Sequence, residues 1–251
     1  ADILVYYFGV LTAQLSQVDI DVQALEKEWR LLYPVAWADF YRFMLGWSPN
    51  HRKMNHYSHK LAESVLNSIE NELLELAKSA CIEAGKYIKN NQNQDHQILS
   101  KGMPSRAADV VSQIDLYAQE MIVEALRPSL VKYNLGLLAE EGEQDDSRQH
   151  KHAFWTIDPL DGTQFYIDGH DGFAVSIALV AKAGHVLLGV VYDPVNNRLY
   201  HAVKDKGFYI NNAQQPPFEP LSDPTTATKW FADRSLKNHP HFEYYNTQFD
   251  I

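Results

Sequence analysis

A single cysteine, Cys81, is all the thiol chemistry in the 251 residues, so no disulfide can form within the chain, and a reducing compartment suits it. Cys81 stands in a helical pattern, where a small buried apolar residue is expected rather than a reactive thiol. Long apolar runs are missing too. The N-terminal ILVYYFGVL is too short to span a bilayer, and no basic segment precedes it as in a signal peptide, so a cytoplasmic protein without a membrane partner is expected. The first residue, Ala1 rather than Met, suits a fragment or a processed product. Nor is there an excess of positive charge: a net charge of −10 argues against a nucleic-acid polymer as partner, because a phosphate backbone needs a basic face. No GxSxG, HExxH, Walker-type loop or Gly-rich dinucleotide fingerprint occurs, which removes the common nucleophile, zinc and nucleotide signatures. The eleven histidines are scattered, and His150 and His152 in the polar HKH read as surface residues rather than zinc ligands. What is present, 45% apolar and 22% charged residues, fits an ordinary globular chain of one large or two small domains.

Residues 1–60 are rich in aromatics, and LEKEWRLLYPVAWADFYRFMLGW predicts amphipathic helices broken at Pro34, followed by a solvated basic linker from His51 to Lys60. Leu66, Ile69, Leu73, Leu76, Ala77, Ala80 and Ala84 recur at helical spacing, so a long helix over 61–90 is expected to end in the polar NNQNQDHQ. A second amphipathic helix is predicted over 109–127, closed by Pro128. Two short apolar runs then end in carboxylates, LGLLAEEGEQDD and HAFWTIDPLDGT, and read as strands whose ends converge. Hairpins are predicted around KAGH and KDKG. Helices first and a meander afterwards imply an α+β fold: a layered α-β sandwich with two long helices on a largely antiparallel sheet, plus an N-terminal helical extension.

Glu140, Glu141, Asp158 and Asp161, with Asp109 and Asp115 as further candidates, fall at predicted strand ends or helix starts. Two unit charges ~4 Å apart cost roughly 4 kcal/mol at an effective dielectric of 20, so such a cluster needs a shared cation or raised pKa values. Mg²⁺ takes oxygen ligands and completes its shell with waters and substrate phosphate. Pro159 is expected to fix a turn that lets Asp158 and Asp161 face one side, and Gly162 and Thr163 to open a short helix with free amides for a phosphate. Taken alone, Asp-Pro-x-Asp-Gly is also an ordinary turn.

WTIDPLDGTQF, LLAEEGE and FAVSIAL, with LSKGMPSRAADVVSQID before them and GVVYDPVNNRLYHAVKDKGFYIN after, together resemble the inositol monophosphatase family of Mg²⁺-dependent, lithium-sensitive phosphatases. The likeness runs from about residue 64 to about residue 235. It implies Glu140, Asp158, Asp161 and the carbonyl of Leu160 as metal ligands, and Gly162 and Thr163 as the phosphate-receiving backbone. Thr163, Asp115 and Glu140 would serve the catalytic step, with Thr163 and Asp115 orienting the attacking water, and Glu141 and Lys101 would support the site from behind or from a loop, Lys101 being alternatively a surface residue. The implied reaction is hydrolysis of a small phosphorylated metabolite by a metal-activated water, with Mg²⁺ as cofactor and no covalent enzyme intermediate. An inositol monophosphate-like substrate is expected, or alternatively adenosine 3′,5′-bisphosphate.

The chain departs from the family pattern at both ends. No WDxAA-like motif occurs, so the aspartate that would complete a second metal site is missing; Asp233 lies in what resembles the first strand of a further layer and is not a ligand candidate. An inactive, truncated family member with a partial site is therefore a third reading, and an uncovered sheet would favour a homodimer or aggregation. The expected organisation is a helical extension over 1–60, a phosphatase α+β domain over 61–220 and the start of a truncated α/β layer over 221–251. WADFYRFMLGWSPNH loosely resembles the C-terminal helical end of kinase-like small-molecule phosphotransferases, without any kinase catalytic motif.

Overall fold

The computed structural model describes residues 3–15, 18–99, 104–140 and 146–216, with side chains at all of these except 3 and 93–112. The expectations for Lys101, Glu141 and the segment from 221 onward lie outside the described residues, as does the side chain of Asp109. Residues Ala1–Ala213 group into one compact unit. No described helix is long and apolar enough to cross a membrane.

Four helices come first: α1 (Ile3–Leu15), α2 (Val22–Trp47), α3 (His56–Leu99) and α4 (Pro104–Lys132). A seven-stranded sheet follows in sequence order: β1 (Gly136–Ala139), β2 (Ala153–Asp161), β3 (Ala174–Ala181), β4 (Val186–Asp193), β5 (Arg198–Val203), β6 (Gly207–Ile210) and β7 (Ala213–Gln214). Strands β1 and β2 run parallel, and β2 through β6 pair antiparallel. The short helix α5 (Thr163–Ile167) joins β2 to β3. This is the α+β layered arrangement that the order of patterns predicts.

Helices α3 and α4 pack against each other and lie on one face of the sheet, α3 over β3 and β4 and α4 over β2. Most of the predicted apolar stripe of α3 is buried: Leu73, Ala77, Ala80 and Ala84 meet Trp155, Ile177, Val190 and their neighbours in a single core, Ile69 and Leu76 pack half-buried at its edge, and Leu66, a turn nearer the start of the helix, is exposed instead. Strand residues alternate between buried and half-buried, as a sheet covered on one face requires. Cys81 is fully buried, and desolvation pushes its thiol far above the ordinary value. The Trp155 indole N–H donates to Ser129 Oγ at 2.9 Å, and the Ser129 hydroxyl donates to the Leu126 carbonyl at 2.6 Å, fastening β2 to α4 inside the core.

Local rules fail where packing overrides them. Pro34 lies inside α2 and Pro128 inside α4, so neither proline ends its helix. Pro128 is exposed, as is Glu124, whose carbonyl loses its i+4 donor and can turn to water instead. The polar NNQNQDHQ continues α3 to Leu99 instead of forming a loop. Residues 56–60 of the predicted linker form the first turn of α3, where the Asn55 side chain accepts from the amides of Tyr57 and Ser58 at 3.0 and 3.2 Å.

Ser129→Ala should leave the buried Trp155 N–H unpaired and cost about 1–3 kcal/mol in urea denaturation. Cys81 should resist a thiol reagent in the native protein and react fully once it is unfolded; modification under native conditions would contradict its burial.

Candidate active site

The site is built on the end of β2. Its register against β3 shifts between Asp158, opposite Ser176, and Asp161, opposite Ala174, so three steps along β2 match two along β3. That extra residue is a β-bulge, a place where a strand tolerates proline. In an unbroken strand, residues three apart point to opposite faces. The bulge cancels this: Pro159 and Leu160 are both buried, and Asp158 and Asp161 return to a common side. The strand thus continues through both aspartates, and a bulge rather than the turn expected at Pro159 brings them to one side.

Asp158 Oδ1 accepts from the Leu160 amide at 3.1 Å, and the Leu160 carbonyl accepts from the Thr163 hydroxyl at 2.9 Å, which closes the strand end onto the start of α5. Gly162 takes φ +86°, and a Cβ there would sit 2.5 Å from the carbonyl oxygen of Gly172. Only glycine fits this approach. Gly172, itself at φ +145°, was not singled out from the sequence, although the repeated Asp-Gly at 161–162 and 171–172 was a visible signal for it. Farther along α5, Tyr166 stacks edge-on with Phe173 at 5.2 Å between ring centroids and donates to the Ile88 carbonyl at 3.3 Å. The site is therefore tied to α3.

Asp158 is half-buried, and its carboxyl is pushed up to about 7. Burial is the largest cause, followed by a hydrogen bond with Glu140 and the negative charges of Glu140 and Asp161, against the lowering effect of the Leu160 amide. So Asp158 keeps its proton in a hydrogen bond with Glu140, at the end of β1, and Asp161 adds its field. Asp115 is buried on the inward face of α4, the helix that packs against α5. Among the described residues no three histidine, cysteine, aspartate or glutamate side chains converge into a ready metal-binding group. The carboxylates at Glu140, Asp158 and Asp161 still fit a hard cation, because a group held protonated near neutrality by neighbouring negative charge gains from any positive charge that replaces the proton. The Leu160 carbonyl, with a second lone pair, is an oxygen donor beside them.

A layered α+β protein with acidic residues gathered at a bulged strand end is the class that fold and site define. The chain belongs to the inositol monophosphatase family, whose model matches residues 70–247. It is 30% identical to the inositol-1-monophosphatase of Bacillus subtilis (strain 168) over 59% of this chain and 54% of that protein. The Nus factor SuhB of Pasteurella multocida (strain Pm70) is 36% identical over 57% of this chain and 51% of that protein. Inositol monophosphatase II of Staphylococcus aureus MSSA476 superposes with a TM-score of 0.47 at 29% identity, over 59% of this chain and 52% of that one. The chain spans about half the length of the curated relatives it matches.

In the metal-free protein, folded Asp158 keeps a proton that the unfolded chain gives up between about pH 4 and pH 7. Its contribution to stability should fall as pH rises across that window, and Asp158→Asn should flatten this part of the profile in thermal melts. Adding Mg²⁺ near pH 7 should release up to about one proton in a weakly buffered titration, and Asp158→Asn should suppress the release.

Proposed function

We propose that the chain carries the metal- and phosphate-binding part of a Mg²⁺-dependent phosphomonoesterase for a small phosphorylated metabolite of the inositol monophosphate type. The observation that supports this most is the carboxyl of Asp158, held protonated near neutrality between Glu140 and Asp161 and directly followed by the Gly162–Thr163 turn.

Glu140, Asp158, Asp161 and the Leu160 carbonyl would hold the cation. When bound, Mg²⁺ would lower the pKa of a water and stabilise charge on the phosphoryl oxygens. The amides of Gly162 and Thr163 would receive the phosphate, and the close approach of Gly172 keeps that turn in one conformation. Thr163 would orient the attacking water through its hydroxyl oxygen, whose proton is already committed to the Leu160 carbonyl. Asp115 would support Thr163 from α4. Glu140, the more exposed of the paired carboxyls, would take up the proton that the water loses.

The test is phosphate release from inositol monophosphate and, side by side, from adenosine 3′,5′-bisphosphate, with and without Mg²⁺ and lithium. Magnesium-dependent, lithium-blocked release that is faster on the inositol ester is expected. Asp158→Asn or Asp161→Asn should lower the rate by roughly 100-fold or more, and Thr163→Ala by a comparable factor. A folded sample that releases no phosphate from either ester at saturating Mg²⁺ would sink the proposal.

A further inference from the structure

One buried titratable group lies well away from the acidic site. His201 occupies the core-facing side of β5 between Leu199 and Val203, a position otherwise given to apolar residues, opposite Val190 of β4. It is 6% exposed, and both ring nitrogens are buried without a hydrogen-bond partner. Its ring stacks on Tyr209 of β6, with centroids 4.9 Å apart and planes 3° from parallel. From α3 comes Lys78, also buried, whose Nζ donates to Glu75 Oε1 at 2.7 Å and to Asn212 Oδ1 at 2.8 Å. Asn212 lies just beyond β6, so the same lysine fastens the hairpin to the helix.

We infer that His201 is a proton-sensitive latch, holding the β5–β6 hairpin on α3 while neutral and releasing it when the ring gains a proton. A neutral imidazole behaves here as a flat, mostly apolar ring stacked on Tyr209. A protonated one would be a buried cation beside the Lys78 ammonium, one of its N–H groups left without an acceptor and the other facing the Asn212 side chain that Lys78 already engages. Burial lowers its pKa first and Lys78 lowers it further, while Asn212 and Glu75 oppose. The Asn212 amide oxygen is already engaged by Lys78, and Glu75 is largely exposed, so neither offers the ring adequate compensation. Val190 of β4 brings no charge. The folded state thus loses stability as pH falls through the ordinary imidazole value, because the opened hairpin takes up the proton that the closed one excludes. Opening stays local, since β5 and β6 lie on the far side of the sheet from β1 and β2.

Hydrogen exchange of the full chain, followed by mass spectrometry at about pH 5.5 and about pH 7.5 and corrected for the intrinsic pH dependence of exchange, tests the latch on either side of the ordinary imidazole value. Protection of β5–β6 should drop by up to roughly tenfold at the lower pH while β2 and β3 hold theirs. His201→Phe, which keeps a flat ring on Tyr209, should remove the difference. Lys78→Met keeps the imidazole, removes its repulsion and should shrink the difference, which decides the matter if His201→Phe does not fold. Equal protection of β5–β6 at both pH values in the wild type, or an undiminished difference in whichever of the two variants folds, overturns the inference.

Discussion

The one residue by which β2 outruns β3 between Asp158 and Asp161 is the constraint on which the site depends. Strand geometry alone would send these carboxylates to opposite faces. The bulge turns the chain so that Pro159 and Leu160 enter the core together, and their burial fixes the aspartates on the other side. Everything downstream inherits that anchor: the Leu160 carbonyl receives the Thr163 hydroxyl, Gly162 meets the Gly172 carbonyl, and Tyr166 reaches the backbone of α3. A shift in any of these would move the carboxylates relative to one another.

The same anchoring makes the carboxylates costly. A carboxyl in water ionises well below neutrality; at this half-buried strand end Asp158, hydrogen-bonded with Glu140 and facing the charge of Asp161, keeps its proton up to about pH 7. The core beneath is rigid enough to impose this. Trp155, three residues before Asp158, is fully buried and bonded to Ser129, and Ser129 in turn to the backbone of α4. Packing energy from β2 thus holds a charge arrangement that local electrostatics would otherwise relax.

Much of the fold was legible because its signals are periodic and local. The stripe of α3 and the turns KAGH and KDKG each specify an element without outside help, and the structure places those elements where the pattern predicts. The candidate carboxylates were legible as residue types, and the structure draws Glu140, Asp158 and Asp161 into one electrostatic group. What was not legible depends on partners distant in sequence. Pro34 and Pro128 are helix breakers by local rule, but helices packed against neighbours tolerate them, and the bulge appears only once β3 supplies a register to be out of step with. His201 was one histidine among eleven scattered ones. Its isolation in the core depends on where α3 and β6 bring Lys78 and Tyr209.

Asp158, half-buried, and His201, buried, are titratable groups of opposite kind, and their placement pulls the pH dependence of the metal-free fold in opposite directions. The acid is raised, so its unfavourable term grows as pH climbs from about 4 toward 7. The base is lowered, so its term grows as pH falls below about 6.5. Neither effect can be relieved by the other, because the groups occupy opposite regions of the sheet. A cation at the carboxylates would relieve only the first. Such a cation would extend stability toward neutral and higher pH and leave the acid side governed by the β5–β6 hairpin, so the two ends of the sheet respond to different chemical signals within a single core.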